Sequence, residues 1–151
     1  MSPRDEAVEI ERLRYPIGRF APRTGSTRAE RTAWIDQIEH APAAVRDAVR
    51  GLDDARLDTP YRPGGWTVRQ VVHHLPDSHV NAYVRMKLAV TEDTPTIRPY
   101  EEAAWAEQPD ARRAPVELSL RLLEALHARW VHWLRALHDD DFTRPLHHPE
   151  A

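Results

Sequence analysis

Gly64-Gly65-Trp66-Thr67-Val68-Arg69-Gln70-Val71-Val72-His73-His74-Leu75 is the stretch on which the reading of the whole chain turns. Pro63 and two glycines make a turn, Thr67 is a strong helix N-cap, and the residues after it repeat apolar side chains at helical spacing. Adjacent helical residues point about 100° apart, so at most one of His73 and His74 can lie at the centre of a single site.

Outward from this block, the spacing predicts a helix from Val68 to about Thr91 with the apolar stripe Val68, Val71, Val72, Leu75, Ala82, Met86 and Ala89. Upstream, Ser26 or Thr27 can cap a helix from about Arg28 to Val49, with Glu30 placed to complete a capping box. Its stripe is Trp34, Ile35, Ile38, Ala41, Val45, Ala48 and Val49. Downstream, Pro115 starts a helix to about Leu137, with Leu123, Leu126, Trp130, Trp133, Leu134 and Leu137 on one side. Tyr100 to Trp105 reads as a short helix and the polar stretch to Asp110 as a loop. Residues from His138 onward also read as a loop. Pro42 and Pro76 fall inside helical patterns, and a kink or break is expected at each.

Three long amphipathic helices and no strand pattern define an all-α bundle. Residues 1–25, punctuated by Pro16, Gly18, Pro22 and Gly25, read as an N-terminal arm that Tyr15, Ile17 and Phe20 could dock onto the body. Residues 26–151 form the bundle.

Composition narrows the function classes. A formal charge of −3 and a pI near 6.3 give no electrostatic footprint for nucleic acid or an anionic membrane. The chain has no cysteine, so any protein-bound metal must be held by imidazole and carboxylate. No apolar run approaches the roughly 20 residues of a membrane span, and Met1 to Arg14 lacks the apolar centre of a signal peptide. The expectation is a cytoplasmic protein.

On the helix after Thr67, the residues Gln70, His74, Asp77 and Asn81 share one azimuth within roughly 40°, with Ser78 beside them. By periodicity alone this is either a solvated face or a cavity lining. Val84 and Leu88 continue the same azimuth, so the second half of the helix reads as apolar nearly all round, which favours the lining. His73 points elsewhere, with Asp77 as a hydrogen-bond partner, and reads as structural. Glu124 and His127 have the spacing used by di-metal carboxylate bundles, but no second such pair exists, so His127 also reads as structural.

Several segments together are specific: Tyr15-Pro16-Ile17-Gly18, Leu57-Asp58-Thr59-Pro60-Tyr61-Arg62, the Gly64 to Leu75 block, Asp77-Ser78-His79 and Ile97-Arg98-Pro99-Tyr100. Together they resemble the YfiT group of the DinB-like superfamily, and the similarity runs from Tyr15 to Pro149. The resemblance implies an up-down four-helix bundle, of which three long helices are present here. It also implies a cytoplasmic, often homodimeric, metal-dependent hydrolase acting on a small-molecule substrate through metal-activated water.

The cofactor implied is zinc or another divalent ion, one per subunit, held by three histidines. The first ligand of the family corresponds to His74, the histidine that the azimuth also favours. Gln70, Asp77 and Asn81 then stand as residues that orient the ligand or contact substrate, and no catalytic residue is assigned. The other two family ligands come from a His-x-x-x-His pair on a fourth helix, which this sequence lacks. The expectation is therefore a C-terminally truncated member, impaired because two of three ligands are missing.

Two alternatives accompany this reading. Relatives use the same metal site to transfer low-molecular-weight thiols such as bacillithiol. A non-catalytic helical module would instead pair through the open groove that three helices leave.

Overall fold

Thr67 begins the central helix as its sequence requires. In the computed structural model, which describes residues 3–21 and 23–149, its hydroxyl accepts from the Gln70 amide, and the Gln70 side chain returns a bond to the Thr67 amide. The two glycines before it have separate reasons. Gly64 sits at φ +65°, and a Cβ on Gly65 would meet the Arg62 Cγ at 2.7 Å.

Seven α-helices follow in order among the described residues: α1 (Pro3–Arg14), α2 (Arg28–Ala48), α3 (Asp54–Leu57), α4 (Val68–Thr91), α5 (Glu102–Ala106), α6 (Pro109–Arg113) and α7 (Val116–Ala136). A 3-10 helix, Asp139–Thr143, follows α7. Only isolated β-bridges occur among the described residues, joining Pro60 to Thr67 and Thr96 to His147. The protein is all-α, as its periodicities require.

α7 is the hub, packing along both α2 and α4. Leu120, Leu123, Trp130, Val131 and Leu134 of α7 are buried, and the last three join Ile35 of α2, with Tyr83 and Met86 of α4 against them. Ion pairs bind the same helices at their surface, Arg46 reaching Glu117 and Glu124, and Arg135 reaching Asp36 and Glu39. The short helices α5 and α6 pack on α4.

Four expectations need correction. The segment read as an arm carries the twelve-residue helix α1. Ile17 and Phe20 do not dock: they are 99% and 90% exposed, because the arm meets the body through Leu13, Arg14 and Pro16 instead. The polar stretch after Trp105 includes the helix α6, which Pro109 opens at the first turn. The second half of α4 is apolar nearly all round but is not buried all round, since Val84 is 47% exposed and Val80 36%. Pro42 and Pro76 are both buried, and α2 and α4 run through them without a break.

Candidate functional site

The N-terminal turns of α4 are fastened to the segment that follows the helix. Arg69, buried, donates to Asp58 and Asp54 at 2.7 Å each and to the Ala114 carbonyl at 3.2 Å. Gln70, 2% exposed, donates to the Ala106 carbonyl at 2.7 Å and to Glu107 at 3.1 Å. His73 bonds Ala114 O at 3.0 Å from Nε2 and Ser119 Oγ at 2.6 Å from Nδ1. A carbonyl can only accept, so the His73 proton sits on Nε2 and the Ser119 hydroxyl donates to Nδ1. These three residues hold α5, α6 and the start of α7 against α4. His73 is thus structural as read, but its partners are Ser119 and Ala114, not Asp77.

The next turns of the same helix face the clefts that this fastening creates. His74 is half-buried, its ring tilted on Trp66 at 4.8 Å between centroids. Asp77 lines a cavity of about 270 Å³ with Ala104, Trp105, Gln108 and Asp110. Asn81 lines the adjoining one, of about 570 Å³, with Arg98, Tyr100 and Trp105 among its other walls. Of that shared azimuth Asp77 and Asn81 line cavities and His74 packs on Trp66 one turn ahead of them, while Gln70 at its head is fully engaged in capping and bracing. Asn81 donates to the Asp77 carbonyl at 2.8 Å.

Burial and the charge of Asp110 push the Asp77 carboxyl above its ordinary range, opposed more weakly by His74 and His73. Burial likewise raises the Tyr100 hydroxyl, although a hydrogen bond with Ser78 works the other way.

A second histidine pair lies deeper. His127, almost without exposure, bonds the Ile38 carbonyl from Nδ1 at 2.6 Å, and its Nε2 is 2.7 Å from Nδ1 of His79. The two rings stack at 4.9 Å. Burial, and secondarily the neighbouring His127 and His74, pull His79 down to about 4; burial also lowers His127. His127 is structural, as its place beside the apolar stripe indicated. Its partnership with His79 is not legible in the sequence because the two rings meet between helices. Tyr100, Trp105 and Asp110 were also missed. Their one sequence signal is a pair of aromatics beside carboxylates in a Pro-bounded segment.

The described residues do not fit a three-histidine metal centre. No group of three or more histidine, aspartate or glutamate side chains among them converges on a common point. His79 and His127 are turned to each other, and His73 is bonded on both ring nitrogens. His74 is the one imidazole of the Val-Val-His-His-Leu block with an open ring nitrogen beside the clefts.

Comparison with known proteins places this architecture. The sequence profile of the DinB superfamily matches residues 37–151. "Putative metal-dependent hydrolase YfiT" of Bacillus subtilis (strain 168) is 51% identical over 139 residues, 92% of this chain and 78% of that protein. A "Putative metal-dependent hydrolase" of Bacillus pumilus is 52% identical over 91% of this chain and 78% of its own length. The solved structure of YfiT, described as "a probable metal-dependent hydrolase with an unusual four-helix bundle topology", superposes with a TM-score of 0.90 over 92% of this chain and 79% of that one. No helix among the described residues is long and apolar enough to cross a membrane.

Proposed function

Because the chain belongs to the DinB superfamily, we propose that it is a metal-dependent hydrolase of the kind its relatives are named for, with His74 as one ligand of the ion. The observation that carries this reading is the position of His74. It stands half-buried on the polar face of α4, immediately before the carboxylate and amide that line the two clefts. An open imidazole there supplies the donor that a divalent ion takes from neutral histidine. Asp77 and Asn81 are placed to touch a small-molecule substrate, and Gln70 to hold the wall they stand on. Zinc as the ion, a cytoplasmic location and a homodimeric state complete the proposal.

One imidazole holds zinc weakly, since structural and catalytic sites draw at least three ligands from protein. Titration of the purified chain with zinc is expected to show micromolar or weaker binding that His74→Ala abolishes and His73→Ala leaves intact. Equal loss in both variants, or no binding by the wild type, overturns the assignment. Tight binding of one zinc per chain overturns the single-imidazole site.

One feature favours a second reading, a helical module that pairs with a second copy. An apolar groove of about 640 Å³ runs between α2 and α4, lined by Val45, Val49, Val68, Val71 and Leu75, with no residue of α7 in it. Such a surface invites a covering helix. A monomeric mass by light scattering at high concentration decides against it.

A further inference from the structure

We propose that the cleft between α4 and the Tyr100–Asp110 segment binds a small molecule through a protonated amine. The inference deepens the hydrolase reading by naming its substrate class, and it rests on that reading only for turnover, not for binding.

The cleft is concave and large enough. Its two cavities, of about 270 and 570 Å³, adjoin at Ala104 and Trp105, which line both, and the larger lies within the size range of small-molecule sites. Trp105 is the aromatic side chain common to both. It is 42% exposed, and its ring leans on Tyr100 at 4.7 Å and 57°, so two aromatic rings meet at an angle on one wall. The negative faces of such rings attract a cation, and tryptophan does so most strongly.

Carboxylates stand on both sides of the cleft, Asp77 on α4, and Asp110 and Glu101 on the segment that carries the rings. Asp77 and Asp110 line the smaller cavity, and Glu101 the larger. Arginines pair with carboxylates over much of this surface, among them Arg46, Arg69 and Arg135, yet among the described residues no cation lies within ion-pair distance of Asp77 or Asp110. Among the described residues Arg98, exposed, is the one basic residue lining these cavities.

These features select the ligand by charge. An anion would meet two carboxylates and the negative faces of two rings. A neutral molecule would bury Asp77 further without relieving its repulsion from Asp110. An ammonium group between the carboxylates, with its carbon body on Trp105, satisfies both walls. The raised carboxyl of Asp77 agrees, since a cation beside it offsets both burial and the Asp110 charge. The Asn81 amide nitrogen is engaged with the Asp77 carbonyl, which leaves its oxygen to accept from an N–H.

Isothermal titration of the purified chain at neutral pH, in buffer containing EDTA, tests this with three probes of similar shape: benzylammonium, benzyl alcohol and benzoate. Saturable binding is expected for benzylammonium, at least about tenfold weaker binding for benzyl alcohol, and none for benzoate. Asp77→Asn and Trp105→Ala should each weaken benzylammonium about tenfold, and Trp105→Phe should recover part of the loss. Should Asp77→Asn fail to fold by circular dichroism, Asp110→Asn reads the same carboxylate pair from another helix. No saturable benzylammonium binding, equal binding of all three probes, or variants that bind as the wild type does would overturn the proposal. EDTA removes any metal from the experiment, so such a failure strikes the amine site alone, and the zinc titration of His74 decides the hydrolase reading separately.

Discussion

His79 and His127 are joined by a hydrogen bond of 2.7 Å whose direction a third group fixes. The Ile38 carbonyl accepts from Nδ1 of His127, so Nε2 of His127 is the acceptor and Nδ1 of His79 the donor. One ordered line of donors therefore crosses α4, α7 and α2, and it exists only while the His127 ring is neutral. A proton added to His127 would turn its Nε2 into a second donor facing His79.

The pair should make stability fall in mild acid. His79 titrates at about 4 in the fold against 6.5 ordinarily, and His127 is lowered too, so between these values the unfolded chain binds more protons. The stabilisation is complete above the unfolded value and is lost as pH falls from there toward about 4. Thermal melts between about pH 7 and pH 5 should show a falling midpoint for the wild type and a flatter profile for His79→Gln. Parallel profiles for the two proteins would show that the pair is not the source.

Arg69 carries a different kind of weight. Its buried guanidinium holds two carboxylates and the Ala114 carbonyl, but Asp54 and Asp58 are themselves exposed and return to water when released. Arg69→Met should therefore cost about 2–3 kcal/mol in urea denaturation, less than breaking a fully buried pair. Asp54→Asn, which leaves Asp58 in place, should cost less than about 1 kcal/mol. A loss below about 1 kcal/mol for Arg69→Met would remove the brace from this account.

Thr67 and Gln70 should differ although they share a capping box. Thr67→Ala removes a cap and should cost about 1 kcal/mol. Gln70→Ala removes the return bond and also frees the Ala106 carbonyl and Glu107, so about 2 kcal/mol is expected. It should also loosen Trp105 beside the cleft, visible as a red-shifted tryptophan emission that Thr67→Ala does not produce.

The helices were legible because each signal that marks them is local. The Thr27 and Thr67 caps, the stripe of α7 and the shared azimuth of Gln70, His74, Asp77 and Asn81 all depend on neighbours within a turn or two. The connections between elements were not legible. Nothing near His73 points to Ser119, forty-six residues away, and nothing near His79 points to His127. α1 and α6 escaped notice because their sequences mix charge and proline without a strong apolar stripe. For the site, periodicity placed His74, Asp77 and Asn81 on one face, but the opposite wall of Tyr100, Trp105 and Asp110 comes from a segment without a regular period.

Pro76 sets two effects of similar size against each other. It lacks an amide hydrogen for the Val72 carbonyl inside a continuous helix, where proline costs about 3 kcal/mol relative to alanine. Its ring is also among the most completely buried side chains of the protein. Replacing it with alanine restores the helical bond but removes about two buried methylenes, worth about 2–3 kcal/mol with the space they leave. It also frees the unfolded chain by up to about 1 kcal/mol. Pro76→Ala should therefore change unfolding free energy by less than about 1 kcal/mol, measured by urea denaturation, while protecting the new amide at position 76 from hydrogen exchange. Pro76→Gly gives up the same packing and about 1 kcal/mol more of helix propensity, so it should be clearly destabilising. A gain near 3 kcal/mol for Pro76→Ala would mean that the buried ring contributes almost nothing; a loss above about 2 kcal/mol would mean that the helix accommodates the missing hydrogen bond without strain.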